Sequence, residues 1–248
     1  MSKSEYLPGI TVVTVVFNGA DQIEKTIQSV VNQTYPLQFV VVDGGSSDGT
    51  LDLIAKYDQS ISHWISEKDE GIYDAMNKGV GLSSGEWVCF LNCGDVFVHN
   101  DVVREVAESI AGNSYPDILY GDIFKMKADG TLDLRVAKEP CNLHRMHFCH
   151  QASFSRKEKL KLFPFDINHK MSADLKFFKM CYYHGCRFLH LNFPIVIYDT
   201  FGISNTSRNS GLKDNIAVVK EVDKGWDKLK FLFRLYFVFW WRTLLNKN

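Results

Sequence analysis

The stretch FLNCGDVF at residues 90–97 sets one carboxylate, Asp95, between two apolar runs. Two chemistries fit it. Asp after Gly at the end of an apolar strand is ordinary turn chemistry. A carboxylate at a strand end is also the hard oxygen ligand that a divalent cation selects. Other groups raise the same choice. The loop DGGSSDGT at 43–50 carries Asp43 and Asp48 among Gly44, Gly45 and Gly49, and Asp48 stands where an acid caps the following helix. Asp174 falls in the first turn of a helical pattern, where the helix dipole stabilises an acid. His144, His147 and His150 recur at threes with Cys149 among them, which suggests zinc. The spacing is not that of a metalloprotease helix, and the required Glu is missing. The six cysteines form no CxxC pair. The opening MSKSEYLPGITVV has no charged-then-apolar export signal, so they read as free thiols of a cytoplasmic protein.

These groups need a scaffold, and the first half of the chain spells one. Residues 10–17, ITVVTVVF, form a continuous β-branched run that suits a buried parallel strand. Asn18-Gly19 break it, and Ile23, Ile27, Val30 and Val31 follow at helical spacing with Asp21 as the expected cap. LQFVVVDGG is a second strand and SSDGTLDLIAKY a second helix. ISHWIS is a third strand, a helix is expected around 72–78, and EWVCFLN is a fourth strand running into Gly94-Asp95. Strand–helix alternation predicts an α/β fold, a mostly parallel sheet with helices on both faces. Ligands of such sheets bind beyond the carboxyl ends of the strands. The loops at 18–19, 43–49 and 92–95 are therefore expected to line one crevice. The second half is less regular: a hairpin turning at Ala128-Asp129-Gly130, a helix over SADLKFFKMCYYHG with Ser172 as cap and Gly185 as stop, and one or two strands in RFLHLNFPIVIYD. Residues 199–211 are Ser-, Asn- and Gly-rich and are expected to be mobile.

Composition narrows the function. Hydrophobic residues make up 46% and charged residues 23% of 248, ordinary values for a globular protein. A formal net charge of −1 gives no global basic field, so nucleic acid is not an expected partner. A dinucleotide dehydrogenase needs G-x-G-x-x-G after the first strand, and FNGADQ does not supply it.

Taken together, TVVTVVFNGADQIEKTIQSVVNQTY, VVVDGGSSDGT, SEKDEGIYDAMNKGVGLSSGEWVCFLNCGD, CHQASFSRK and SADLKFF are specific in order and spacing. Over roughly residues 8–205 the chain resembles the inverting nucleotide-sugar glycosyltransferases of the large GT-A-fold family, of the bacterial polysaccharide-assembly type. The resemblance implies a Rossmann-like GT-A domain over 1–215, with a nucleotide-binding half at about 8–98 and an acceptor half at 99–215, followed by an amphipathic helical tail at 216–248. It implies transfer of a hexosyl-type sugar from a nucleotide diphosphate donor, a UDP-sugar favoured, to a hydroxyl of a glycan or lipid-linked acceptor with inversion, in cell-surface polysaccharide biosynthesis.

The same resemblance implies roles for single residues. Phe17, Asp43, Gly45, Asp69, Lys78, Asn92 and Asp95 fall on donor-binding segments. Many members read Asp-Asp-Gly where this chain reads Asp43-Gly44-Gly45. The glycines of that loop supply permissive backbone near a diphosphate. Against Lys78 stands the solvated charge of a helix end. LNCGD occupies the place of the Asp-x-Asp motif, which holds Mg2+ or Mn2+ against the donor diphosphate. Asn92 and Gly94 stand where others carry Asp, which leaves Asp95 as the metal carboxylate. Asp174 matches the catalytic base. His150 and Gln151 match the acceptor-side His-Gln segment, with ligation of the donor metal by His150 a secondary role. Arg208 and Ser204 are placed to close over the diphosphate, against the bland reading of a solvated loop. A second reading is a nucleotide-sugar-binding scaffold without activity, motivated by the reduced Asp-x-Asp segment.

The segment DKLKFLFRLYFVFWWRTLLNKN has its longest uncharged run at 235–241, far short of a membrane span. Aromatic residues punctuated by Lys and Arg fit a helix lying in a membrane interface at 226–248, peripheral on the inner face of the plasma membrane. A helix packed on the domain, or on a second subunit of a homodimer, is the alternative.

Overall fold

The computed structural model describes residues 8–113, 116–127, 129–199 and 208–245. Its elements in chain order are β1 (Ile10–Val16), α1 (Ile23–Val31), β2 (Gln38–Asp43), α2 (Thr50–Lys56), β3 (His63–Ser66), α3 (Ile72–Leu82), β4 (Trp87–Phe90), β5 (Val96–Phe97), α4 (Val102–Gly112), β6 (Ile118–Met126), β7 (Leu132–Arg135), β8 (Ser153–Arg156), α5 (Lys157–Leu162), α6 (Ala173–Tyr183), β9 (Phe188–Tyr198), α7 (Arg208–Val222) and α8 (Gly225–Leu245). One sheet carries the strands in the order β3-β2-β1-β4-β8-β6-β9-β5, with β7 hairpinned onto β6. β3, β2, β1 and β4 are parallel neighbours, β8 runs against β4 and β6, and β9 returns parallel to β6 with a bulge near Gly121-Asp122.

The β-branched run of β1 is buried at every position, as a central parallel strand requires. Its alternate residues face two cores. Val12 and Val16 meet Ile23, Ile27 and Val30 of α1 and Val102, Val106 and Ile110 of α4. Val13 and Val15 meet Tyr73, Met76 and Val80 of α3 and Phe177 of α6. The approach of α3 depends on Gly79, where an added Cβ would lie 2.4 Å from Val13 Cγ1. Gly79→Ala is expected to cost roughly 1–3 kcal/mol through overpacking. A thermal melt should show a clearly lowered Tm, and an unchanged Tm would sink this account of the α3–β1 contact.

Several expectations need correction. Asp21 does not cap α1. The helix starts after Gln22, no side chain caps it, and Gln22 N and Ile23 N both donate to Gly19 O. Helices α4 and α5 and strands β5 and β8 stand where the sequence reading placed no element. Ser172 occupies the N-cap position of α6, but its hydroxyl reaches Asn215 of α7 at 2.6 Å instead of its own helix. Gly185 does stop α6: it sits at φ +70°, donates to Tyr182 O, and lets Cys186 N reach Cys181 O. The hairpin is present, closed by Lys127 N to Thr131 O at 2.9 Å, while Ala128 lies outside the described residues. Of the segment expected to be mobile, 200–207 lie outside the described residues and 208–211 open α7. That helix crosses position 215/216, and the tail holds a second helix, α8. Among the described residues no helix is long and apolar enough to cross a membrane.

Candidate active site

The three polar loops at the ends of β1, β2 and β4 meet. Asn18, in the left-handed region at φ +49°, donates from its N to Ser46 Oγ and accepts at Oδ1 from Ser47 N at 3.0 Å. Gly19 N donates to Thr50 Oγ1 at 2.9 Å, and Cys93 Sγ lies 3.7 Å from Gly19 O. Asp48 accepts from Thr50 N and Ala20 N, both at 3.1 Å, so it tethers the start of α2 to the β1–α1 loop. Those hydrogen bonds, Thr50 hydroxyl first, hold its carboxyl below the usual range. Phe17 follows β1 with 63% of its surface open beside these loops.

Asp43 is fully buried and accepts from Gly45 N, Ser46 N, Ser46 Oγ and Ser66 Oγ. A carboxylate so enclosed organises its loop. The neighbouring acid is Asp69, half-buried in the β3–α3 loop. A Cβ on Gly44 would lie 2.4 Å from Asp69 Oδ2. Gly44 therefore leaves room for a carboxylate that arrives from another loop, at the point where Asp-Asp-Gly members carry their second acid. Gly45 N belongs to the Asp43 turn, and its φ of +87° suits glycine. Lys78 is paired with Glu67 at 2.9 Å and Asp74 at 3.3 Å, and donates to Lys68 O. It braces the β3–α3 loop.

At the end of β4, Gly94 sits at φ +99°, and a Cβ there would fall 2.3 Å from Gln22 Oε1. Glycine suits this position of the Asp-x-Asp segment because side chains rarely adopt that φ. Asp95 is 3% exposed, and its Oδ1 accepts from Asp199 N at 2.9 Å. Burial pushes its carboxyl up to about 7, despite the Asp199 amide and the nearby His150 and Lys25. Asn92 Oδ1 is buried and finds no hydrogen-bond partner among the described residues. An orphaned acceptor beside a desolvated carboxylate fits a cation, so the residues agree with a divalent ion held at Asp95.

The fourth component comes from the second half. His150 opens a single 3-10 turn before β8. Its Nδ1 lies 3.1 Å from Asp174 Oδ2 and its Nε2 lies 3.5 Å from Asn92 Nδ2. Asp174 Oδ1 also accepts from Tyr73 OH and Leu175 N, both at 2.9 Å. Burial alone would raise the Asp174 carboxyl. The bonds from His150, Tyr73 and Leu175 outweigh burial and set it below the usual range. His150 thus links Asp174 to Asn92, and Asp95 follows in the same loop, its N donating to Asn92 O at 3.0 Å. Tyr73 is the member that sequence reasoning missed. Its burial and its bond to Asp174 push its phenol well up. The nearest signal was its place one residue into α3, facing the sheet.

Other expected residues are not brought there. Gln151 is buried, with Oε1 accepting from Cys149 Sγ at 2.7 Å, and it anchors the turn. Arg208 opens α7, and its side chain, like Ser204, lies outside the described residues. Among the described residues His144 and His147 join no metal cluster: His144 packs near Phe231, and His147 Nε2 accepts from Cys141 N. Among the described residues, the grouping with metal-ligand spacing is Asp166, His169 and Glu221, and Lys176 Nζ already lies 2.6 Å from both acids.

A curled, mostly parallel sheet with flanking helices and a polar crevice at the strand ends is the GT-A fold. The family model "Glycosyl transferase family 2" matches residues 11–187, and the chain belongs to that family. It is similar to a PGL/p-HBAD biosynthesis glycosyltransferase of Mycobacterium tuberculosis, 29% identical over 212 residues and 80% of each chain. An uncharacterized glycosyltransferase of the same species is 32% identical over 178 residues, 68% of this chain and 67% of the relative. Among solved structures, the mannosyltransferase PcManGT from Pyrobaculum calidifontis in complex with GDP-Man and Mn2+ superposes with a TM-score of 0.70 at 16% identity, covering 93% of this chain and 69% of that one. S. aureus TarS 1–349 in complex with UDP-GlcNAc gives 0.69 at 16% identity, covering 92% and 71%.

Proposed function

We propose that this glycosyltransferase moves a sugar from a nucleotide diphosphate donor to a hydroxyl of a glycan or lipid-linked acceptor, with inversion by one displacement. The observation that carries this reading is that His150 links Asp174 to Asn92, three residues before Asp95 in the loop after β4. Asp174 takes the proton from the acceptor hydroxyl as it attacks the anomeric carbon. Tyr73 and Leu175 fix one of its oxygens, so the other faces the reaction with a lone pair left beside His150. The β1–α1 and β2–α2 loops seat the nucleotide, with Phe17 as an open ring and Asp69 as the acid nearest Gly44. A divalent ion, Mg2+ or Mn2+, held at Asp95 would stabilise the leaving diphosphate electrostatically. The outward face of α8 rests on a membrane surface, where a lipid-linked acceptor is found.

A thermal-shift panel of UDP- and GDP-sugars with and without Mn2+ tests the donor class. At a ligand concentration a hundredfold above Kd, stabilisation of roughly 2.7 kcal/mol is expected, and only when donor and ion are both present. A chain that no nucleotide sugar stabilises under either condition is not this enzyme.

A further inference from the structure

We propose that His169, charged through both ring nitrogens, is a positioning residue for the reaction: it clasps α7 to the loop before α6 and so sets the place of Asp174. The inference rests on the transfer reading above, which makes Asp174 the base, and deepens it.

His169 is buried five residues before Asp174. Its Nδ1 lies 2.7 Å from Asp214 Oδ1 and its Nε2 lies 3.1 Å from Glu221 Oε2, both acids standing on α7. A carboxylate only accepts, so each ring nitrogen has to bring the hydrogen, and a ring with two N–H groups is an imidazolium. The surrounding charge asks for the same. Asp166, on the loop of His169 itself, lies 4.0 Å from Nε2, and Lys176 of α6 reaches Asp166 and Glu221 at 2.6 Å each. Among the described residues here, one lysine faces three carboxylates unless His169 adds a second cation. Lys170 turns the other way and donates to Glu70 O at 2.9 Å. Burial alone would lower the imidazole. The Asp214 and Glu221 carboxylates outweigh it and hold the ring above the usual histidine range. The clasp is therefore whole below the ordinary value of about 6.5 and is lost as pH rises through the raised one.

The clasp reaches the base through the backbone. Asp214 meets His169 with one oxygen and accepts from Met171 N with the other at 2.7 Å. Ser172 Oγ meets Asn215 Oδ1 at 2.6 Å and makes no capping bond to α6. Positions 169, 171 and 172 are thus tied to neighbouring residues of α7, and Asp174 lies in the helical turn that follows. Its bonds to Tyr73 and His150 depend on where that turn starts. A neutral His169 would set a lone pair against one of its two carboxylates and push the loop off α7. A displacement of about 1 Å at a reacting group can cost a hundredfold in rate.

The test is 15N NMR on the full chain labelled at histidine, beside steady-state kinetics. At pH 6.5 the His169 ring is expected to show two protonated nitrogens, assigned by the loss of their signals in His169→Gln. Kinetics use Mn2+ and whichever UDP- or GDP-sugar stabilises the chain, and follow release of the nucleoside diphosphate. In His169→Gln and in Asp214→Asn kcat is expected to fall roughly ten- to a hundredfold, with KM for the nucleotide sugar unchanged. The parent's kcat falls as pH rises through the His169 titration, and His169→Gln lacks that limb. Melting curves check folding, and the parent's own limb tests the clasp without any substitution. A single N–H on the ring at pH 6.5 overturns the inference. So does a parental kcat in both variants, an equal loss of kcat and donor binding, or a parent rate that ignores the His169 titration. If those failures come with turnover still lost in Asp174→Asn, the transfer reading stands without this clasp. If Asp174→Asn turns over fully, or the parent releases no diphosphate from any nucleotide sugar, the transfer reading fails and the role of His169 fails with it.

Discussion

Asp174→Asn lowers sugar transfer by roughly a hundred- to ten-thousandfold, the contribution of a positioned general base, and leaves donor binding intact. The substitution is chosen for what it preserves. An amide oxygen still accepts from His150 Nδ1, and the Tyr73 hydroxyl turns to accept from the new NH2, so both neighbours of Asp174 keep a partner. Leu175 N, at the first turn of α6, loses its side-chain acceptor. The fold is expected to lose roughly 1–3 kcal/mol, because the Tyr73 hydroxyl and Leu175 N, both on buried residues, donate to the oxygen that becomes an NH2. What disappears is the lone pair that takes the acceptor proton. The measurement is single-turnover transfer beside donor binding by calorimetry. An unchanged Kd with lost turnover fits the base. Equal loss of both would make Asp174 a structural prop of the donor site, and full turnover would remove it from the chemistry.

The scaffold was legible in the sequence for physical reasons, and the site only in part. A seven-residue β-branched run has few stable homes besides a central strand, and β1 took it. The crevice followed from topology, since loops after β1, β2 and β4 must gather at one edge. Element α4 carries the same helical period as α1, in Val102, Val103, Val106 and Ile110. The side-chain directions were not legible. Asp43 and Asp69 sit in similar polar loops, yet one is enclosed by its own turn and the other reaches across to Gly44. Lys78 reads as a free helix-end charge until Glu67 and Asp74 are seen around it. Tyr73 reaches Asp174 across a separation of 101 residues, which no local pattern encodes. Ser172 holds the capping position its sequence suggests, but the packing of α7 supplies a better acceptor. In each case tertiary placement decided between two local uses of the same residue type.

The second large effect is expected at α8, whose two faces are both apolar. The inner face buries Phe231 and Leu235 against Leu212, Ile216 and Val219 of α7. Its roll is fixed by Lys179, buried, which pairs with Asp223 at 2.9 Å, donates to Asn142 Oδ1 and lies 5.0 Å from the Phe231 ring. The outer face is then set: Trp226, Leu229, Phe233, Phe237, Trp240 and Leu244 follow one another at spacings of three and four, and all are exposed. They form an unbroken stripe about 27 Å long by helical rise. Lys230 and Arg234 flank it, and Lys213 and Lys220 of α7 reach over the rings of Phe239 and Tyr236. Aromatic rings bordered by cations suit the headgroup layer of an anionic bilayer. The helix pair is also coupled to the reaction side, since Asp214 of α7 accepts from Met171 N at 2.7 Å, three residues before Asp174. The full chain is expected to sediment with vesicles rich in phosphatidylglycerol, less with phosphatidylcholine, and less as salt rises. Replacing Trp226, Phe233, Phe237 and Trp240 together by Ser removes roughly 4 kcal/mol of apolar insertion, about a thousandfold in partitioning. The melting temperature should fall little, because these side chains are more than half exposed and Phe237 gives up only its stacking on the exposed Trp241. If the parent chain stays in the supernatant with anionic vesicles and the same substitutions convert a dimer to a monomer by light scattering, the stripe is a subunit interface and the membrane reading fails.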